Sequence, residues 1–259
     1  RGLALTGVAL TDRGRFFLYP DWKISSRVKA CMTTRQGGVS QAPFDSMNLA
    51  MHVGDDPQAV ERNRQRLIER VQLPGGPRWL DQVHGVEVAD NSSEHHCRAD
   101  AFYASSPAIV CAVLTADCLP VFVASREGSE VAVAHAGWKG LLQGIIEATV
   151  KRFDSSPEEL HVWLGPAIGP QRFEVGEEVF KAFVDEADVD KECVIQAFNR
   201  QEGNKWLVDI YALARCRLQR LGIQHVSGGD FCTVTDEQMF YSYRRDGKTG
   251  RMASLIWIE

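Results

Sequence analysis

Runs and alternations of apolar residues divide the chain into stretches with strand period and stretches with helix period. From Val28 to Thr34 the side chains alternate well enough for a strand, which runs into Gly37 and Gly38 and leaves Arg35 at its end. The segment that follows, to Gly54, is rich in Ser, Asn, Asp and Gly, and ordered loops of that length in folded domains are usually functional. Asp56 is a good N-cap with Pro57 in the first helical turn, and Val60, Leu67, Ile68 and Val71 make one apolar face of a helix ending before Pro74. The Val-rich runs Val86 to Val88, Ile109 to Leu114, Leu119 to Ala124 and Val131 to Ala134 lack helical period and read as buried strands. Beyond them the pattern predicts a helix over Leu141 to Phe153, a strand at Val162 to Leu164, helices over Glu177 to Val184 and Val208 to Leu221, and a last strand over Ala253 to Ile258. Strands and helices mixed without a regular βαβ repeat predict an α/β chain of mixed α+β layers, not a Rossmann or barrel fold. No linker rich in Pro, Gly or Ser divides residues 1–259, which read as a single domain.

Composition narrows this only by exclusion. A hydrophobic fraction of 44% with 24% charged residues is that of an ordinary globular chain, which argues against disorder. The longest apolar stretches are far short of the ~20 residues that span a bilayer, so no membrane association is expected. A formal net charge of -5 speaks against a general nucleic-acid binder, because sequence-independent phosphate binding needs clustered Lys and Arg. The cysteines are odd in number and lack paired spacing, so reduced thiols and a cytoplasmic location are expected, with structural roles for Cys31, Cys97, Cys111, Cys193, Cys216 and Cys232. Arg1 and Gly2 are read as extraneous to the natural start, and a charged region leading into an apolar signal core is not seen there. Nothing calls for an oligomer, and a monomer is the expected state.

Chemistry gathers beside the central apolar runs. Gln82-Val83-His84-Gly85, Thr115-Ala116-Asp117-Cys118-Leu119-Pro120 and Ala134-His135-Ala136-Gly137-Trp138 each carry one metal-capable side chain at the edge of a strand. Taken singly, a lone Cys is usually a small buried hydrophobe and a lone His a core or surface residue with one hydrogen bond. Pro120 and Gly137, however, put a change of backbone direction next to Cys118 and His135, where sites tend to be built. A metal held by His84, Cys118 and His135 would keep a fourth position for water or substrate, the mark of a catalytic zinc site. A thiol hydrolase is the rival reading, with Cys118 as nucleophile and His135 as base, but it leaves His84 without a task. Copper is a second alternative. A blue-copper site wants two His, one Cys and a weak axial Met, and no Met lies in these motifs.

The same motifs carry a family resemblance. Together with Arg35-Gln36-Gly37-Gly38-Val39-Ser40, Met47-Asn48-Leu49-Ala50, His52-Val53-Gly54-Asp55-Asp56, Leu164-Gly165-Pro166-Ala167-Ile168-Gly169, Asp230-Phe231-Cys232-Thr233 and Phe240 to Asp246, they occur in order along nearly the whole chain. This resembles the YfiH family, also called the laccase-domain or multicopper polyphenol oxidase family, whose members are described as purine nucleoside phosphorylases with adenosine deaminase activity. The resemblance implies a layered α/β sandwich similar to the YfiH-like cysteine hydrolase fold of bacterial toxin deamidases. It implies zinc on His84, Cys118 and His135, with copper as the alternative. The substrates implied are phosphate and a purine nucleoside such as adenosine, inosine, guanosine or methylthioadenosine, and peptidoglycan precursor editing is the role attached to the hydrolase rival.

Roles for other residues follow from that chemistry. Phosphate needs a cation and free N–H groups, for which Arg35 in its Gly-rich loop and Lys139 with the amides of Gly137 to Gly140 are candidates. Asn48, His52 and Gln82 are candidates for contacts to purine or ribose, and His52 alternatively for a proton near neutral pH. Asp117 is a candidate acid/base or partner of a ligand histidine, with turn capping an equal alternative. Phe240, Tyr241 and Tyr243 offer stacking surfaces but suit a core as well.

Overall fold

The computed structural model describes residues 16–94, 96–187 and 191–259. Arg1 and Gly2, and the reading of the chain start attached to them, lie outside these. The strands predicted between 109 and 136 form as Cys111–Thr115, Leu119–Ser125 and Val131–Ala136, and every residue of all three is buried. Full burial explains why these runs are continuous where a half-exposed strand would alternate. Alternation is instead between two cores. Val121, Val123, Ala132 and Ala134 point to one side of their sheet, while Phe122, Ala124, Val131 and Val133 point to the other.

That sheet has six strands in the order His225–Gly228, Leu160–Leu164, Leu119–Ser125, Val131–Ala136, Ala101–Ala104, Val88–Ala89. It is antiparallel in the middle and parallel at both outer pairs. A second, antiparallel sheet orders Phe17–Leu18, Val28–Thr33, Met252–Ile258 and Cys111–Thr115. The two sheets share a core in which Phe122, Trp163 and Phe102 meet Met32, Val113 and Ile256. Helices close the outer faces. Ile145, Ile146, Phe183 and Leu213 cover the first sheet, and Leu67 of the helix Pro57–Val71 packs with Leu255, Cys31 and Ala112 of the second. The result is the expected layered α/β sandwich, helix on sheet on sheet on helix.

Asp56 caps the helix Pro57–Val71 as expected, its side chain accepting from Gln58 N–H. Expectation and structure part at 141–153, where Gly144 takes φ 97° and divides the segment into helices Trp138–Gln143 and Ile145–Val150. Short elements such as Ala101–Ala104 and the hairpin Phe198–Arg200 with Lys205–Val208 are too brief for periodicity to reveal. The expectation that every thiol is unpaired is corrected: Cys193 and Cys216 form a disulfide that joins the helices Lys191–Gln196 and Ile210–Arg220, with Cα atoms 6.1 Å apart. A separation of 23 residues carries no motif, and only helix packing brings the pair into range.

Glu130, 5% exposed at the entry to the strand Val131–Ala136, pins that strand to its surroundings. Its carboxylate accepts from Tyr103 O–H at 2.7 Å, Asp154 N–H at 2.8 Å, Ser155 N–H at 3.0 Å and the Ser155 hydroxyl. Burial raises its pKa, but these donors outweigh burial and hold it below the ordinary 4.5. Its contribution is therefore present above about pH 4.5 and is lost as pH falls through the depressed folded value. Glu130→Gln is expected to cost about 1.5–3 kcal/mol at neutral pH, the range for hydrogen bonds to a charged group, and to lose less stability than the parent on acidification. Urea unfolding at pH 7 and pH 4 measures both.

Candidate metal centre

Two strand ends and one strained turn bring the three motifs together. The pairing of Leu119–Ser125 with Val131–Ala136 sets Leu119 opposite Ala136 and Pro120 opposite His135, so Cys118 leaves the sheet beside Gly137. His84 arrives from a turn in which it holds φ 59°, left-handed backbone that a non-glycine residue adopts at a cost. Buried Asp100 keeps it there. One carboxylate oxygen accepts from His84 N–H at 2.9 Å, and the other from Gly85 N–H at 2.7 Å and Val83 N–H at 3.2 Å. The first oxygen also accepts from His135 Nδ1–H at 2.8 Å, and the Asp100 carbonyl accepts from His135 N–H at 2.7 Å. One wholly buried carboxylate thus holds both histidine motifs.

Holding Nδ1–H of His135 leaves Nε2 as its free ligand nitrogen. The ligand atoms of His84, Cys118 and His135 all lie within 4.8 Å of one another, with Cys118 Sγ 3.9 Å from His84 Nε2. Among the described residues this is the one cluster of three or more His, Cys, Asp or Glu able to hold a metal ion. Gly137 makes the space for it, because a Cβ there would stand 2.9 Å from His84 Cδ2 and 3.0 Å from Cys118 Sγ. Electrostatics favour ligation. Burial pushes the Cys118 thiol up, but His135 and then His84 hold it down at about 6. Burial lowers His135, yet Cys118 and Asp100 raise it to about 9. Without a metal the pair is a thiolate beside an imidazolium, and a cation that binds it displaces a proton.

The cluster opens onto a cavity of about 470 Å³ lined also by His52, Asp81, Gln82, Thr115, Tyr243 and Arg251. On the other side of Cys118 lies an apolar recess of about 180 Å³ walled by Trp138, Ile168, Phe173, Ile210 and Tyr243. Of the residues singled out in the sequence, the structure brings His84, Cys118, His135, His52 and Gln82 to the large cavity and Asp117 to the recess. Gln82 is engaged at both ends by Leu114, donating to its carbonyl at 2.9 Å and accepting from its N–H at 2.7 Å. Asp117 accepts from the Thr233 hydroxyl and from Arg244 N–H, each at 2.6 Å, and so ties the turn before Cys118 to the C-terminal segment. Asn48, Arg35 and Lys139 do not line the cavity. Asn48 is wholly buried and bonds Ala50, Asp55 and the Arg251 N–H. Arg35 donates to the carbonyls of Asp45 and Glu237 and pairs with the Asp45 carboxylate, while Lys139 lies over the Trp138 ring. The glycines of the Arg35 loop serve close packing, since a Cβ on Gly38 would fall 2.0 Å from the Ser46 carbonyl oxygen. Phe240 and Tyr241 are core, and Tyr243, 61% exposed, stands at the cavity.

Sequence reasoning missed Asp100, Thr115, Asp81 and Arg251. For Asp100 a signal existed: a charged residue between Ala99 and Ala101 at the start of a buried strand needs a reason to be there. His52 is held below its ordinary value by burial and by Arg251 and Arg64, with Asp81 opposing.

A family model described as multi-copper polyphenol oxidoreductase laccase matches residues 29–259. The chain is 51% identical over 243 residues to the purine nucleoside phosphorylase of Pseudomonas aeruginosa, covering 94% of this chain and 98% of that one. It is equally 51% identical over 243 residues to the purine nucleoside phosphorylase YfiH of Escherichia coli K12, covering 93% of this chain and 98% of that one. A crystal structure of a Neisseria meningitidis protein superposes with a TM-score of 0.88 at 46% identity, covering 94% of this chain and 99% of that chain.

Asp100→Asn replaces an all-acceptor group with one whose NH₂ faces N–H donors, so the histidines lose their common anchor. Metal affinity is expected to fall about 10- to 100-fold with the fold retained; elemental analysis after dialysis against a weak chelator, alongside circular dichroism, measures it, and full metal retention would deny Asp100 this role. A second expectation concerns Cys118. Alkylation should be slow in metal-loaded protein and fast after chelation, with the metal-free rate falling as pH drops below about 6. Peptide mass mapping identifies the modified thiol. Rapid modification of Cys118 in metal-loaded protein would favour the thiol-hydrolase reading.

Proposed function

The chain belongs to the laccase-domain (YfiH) family, and from that premise we propose that it is a zinc-dependent purine nucleoside phosphorylase with adenosine deaminase activity, acting as a single catalytic domain in the cytoplasm. The observation that carries this reading is the His84, Cys118 and His135 cluster at the floor of a cavity large enough for a nucleoside and an anion. Two nitrogens and one thiolate are a zinc donor set, and three protein ligands leave a coordination position open. A bound zinc ion there supplies Lewis-acid stabilisation of charge developing on the substrate. No methionine lines the cavity, and multi-copper chemistry needs more clustered ligands than this one group of described residues offers.

The protein's own groups divide the remaining work. Asp100 orients His135 and the His84 turn, so neither ligand has to be ordered when substrate arrives. Trp138, Phe173 and Tyr243 offer apolar and aromatic walls to a planar base in the recess beside Cys118, while His52, Asp81 and Arg251 line the large cavity. His52, its pKa lowered chiefly by burial, can accept or relay a proton at the cavity wall. Gln82 and Asp117, whose polar atoms are engaged by the chain, act by positioning the walls.

Incubation of metal-quantified protein with adenosine or inosine, with and without phosphate, tests the proposal. Free base and ribose-1-phosphate formed only with phosphate are expected, together with inosine from adenosine without it, and both reactions should fail in Cys118→Ala. Absence of both products from metal-loaded protein would overturn the assignment.

A further inference from the structure

A phosphorylase must hold an anion, and the arginines near the site differ in how many donors they have to spare and in whether those donors lie at the large cavity. Arg35 is engaged by two carbonyls and a carboxylate. Arg244 donates to the carbonyls of Arg172 and Glu174, and Arg245 to those of Thr233, Val234 and Phe240 and to Asp246. Arg251 is placed differently, since it is half-buried and lines the large cavity, whereas Arg244, which also bonds through Nη1 alone, is exposed at the recess. Arg251 uses only Nη1, on the Thr249 and Gly250 carbonyls at 2.9 and 3.0 Å, and pairs with no carboxylate among the described residues. Its Nε and Nη2 edge, the side of the guanidinium fork that meets an oxyanion with two parallel hydrogen bonds, is unspent. Among the described residues it is also the only permanent cation lining the large cavity. The half-buried guanidinium lies over the Tyr243 ring with Cys118 and Asp117 as the nearest negative influences and no direct ion pair, and an anionic ligand offsets the cost of its burial.

A second observation stands beside it. Thr115 is 2% exposed, lines the same cavity, and its hydroxyl has no hydrogen-bond partner among the described residues. The pairing of Thr115 with Met252 places it next to Arg251 at the end of the second sheet. Buried hydroxyls are normally paired; this oxygen is closed to solvent as the chain stands, and it gains a partner when a ligand shifts the cavity wall beside Arg251. His52 lines the cavity too and is electrostatically coupled to Arg251. The main chain of Arg251 is fixed independently of its side chain. Its N–H donates to Asn48 Oδ1 at 3.0 Å, and Gly250 packs so tightly that a Cβ would lie 2.7 Å from Tyr241 Cζ.

We propose that Arg251, with Thr115 and His52 beside it, forms the inorganic-phosphate subsite of the cavity, an inference that rests on the phosphorylase reading above. Arg251 grips two phosphate oxygens and the Thr115 hydroxyl donates to the anion. In the reaction a phosphate oxygen forms the bond to the ribose C1′ as the bond from C1′ to the purine nitrogen breaks. The electron pair of that bond leaves on the purine, and the proton carried by the monohydrogen phosphate ends on the released base. The same anion chemistry could come from the phosphate ester of a nucleotide, and the test distinguishes the two.

Calorimetric titration of metal-loaded protein with orthophosphate, and separately with adenosine monophosphate, is compared for the parent, Arg251→Gln, Arg251→Lys and Thr115→Val, with metal content and circular dichroism checked for each. Orthophosphate binding is expected to weaken about 10- to 100-fold in Arg251→Gln and less in Arg251→Lys and Thr115→Val, with a matching rise in KM for phosphate and little change in KM for the nucleoside. Unchanged phosphate binding in folded, metal-loaded Arg251→Gln would overturn the proposal. So would Arg251-dependent binding of the monophosphate without binding of orthophosphate. If Arg251→Gln fails to hold its metal, unweakened phosphate binding in both Arg251→Lys and Thr115→Val overturns it. Arg251-dependent phosphate binding in a protein that cleaves no nucleoside would leave the subsite standing and remove the phosphorylase reading instead.

Discussion

The site depends on one buried carboxylate. Asp100 is wholly inaccessible to solvent, and a charge in that position survives only if it is surrounded by donors. It has four: three consecutive backbone N–H groups of the His84 turn and the ring N–H of His135. The same bonds that make the carboxylate tolerable fix the left-handed backbone of His84, which by itself would relax. Burial raises the Asp100 pKa, and the hydrogen bonds from His135, Gly85 and Val83 more than reverse this, so the group stays ionised and His135 keeps the orientation that leaves Nε2 for a ligand.

Around that anchor the layers do the assembling. Two strands buried on both faces deliver Cys118 and His135 to one end of a sheet, and the absence of a side chain at Gly137 leaves room for His84 to approach them. The second sheet delivers Thr115 and Arg251 to the same cavity through its own register. Two hollows then meet at Cys118, the large cavity with His52, Asp81 and Arg251 and the recess whose apolar walls are Trp138, Ile168 and Phe173, with Asp117 and Arg244 beside them. This arrangement suits a ligand with an anionic end and a flat, weakly polar end.

Several polar residues that look like ligand contacts serve the chain instead. Asn48, Gln82, Asp117 and Arg35 all spend their hydrogen-bonding atoms on backbone or on neighbouring loops. For Arg35 and Asn48 the physical cause is the long irregular segment around residues 35–54, whose buried N–H and C=O groups have no ladder to satisfy them, while Gln82 and Asp117 tie the turns beside the metal ligands to Leu114 and to the C-terminal segment. Short polar side chains in such a loop are claimed first by the loop.

By itself the sequence determined the long buried strands, the capped helix Pro57–Val71, the layered mixed α/β class and the three metal-capable side chains, because hydrophobic period, capping chemistry and local motifs are properties of neighbouring residues. Tertiary structure alone decided which polar groups remain free once the chain is folded. Asp100 and His135 are separated by 35 positions and Tyr241 and Phe44 by 197, and no local pattern announces such pairs. The Cys193–Cys216 disulfide belongs to the same class, since it needs two helices to pack before its thiols meet. Arg35 and Arg251 are equally basic in the sequence, and they differ in what the folded chain has placed against their guanidinium groups: a carboxylate and two carbonyls around one, two carbonyls on a single nitrogen, the Tyr243 ring and the cavity around the other.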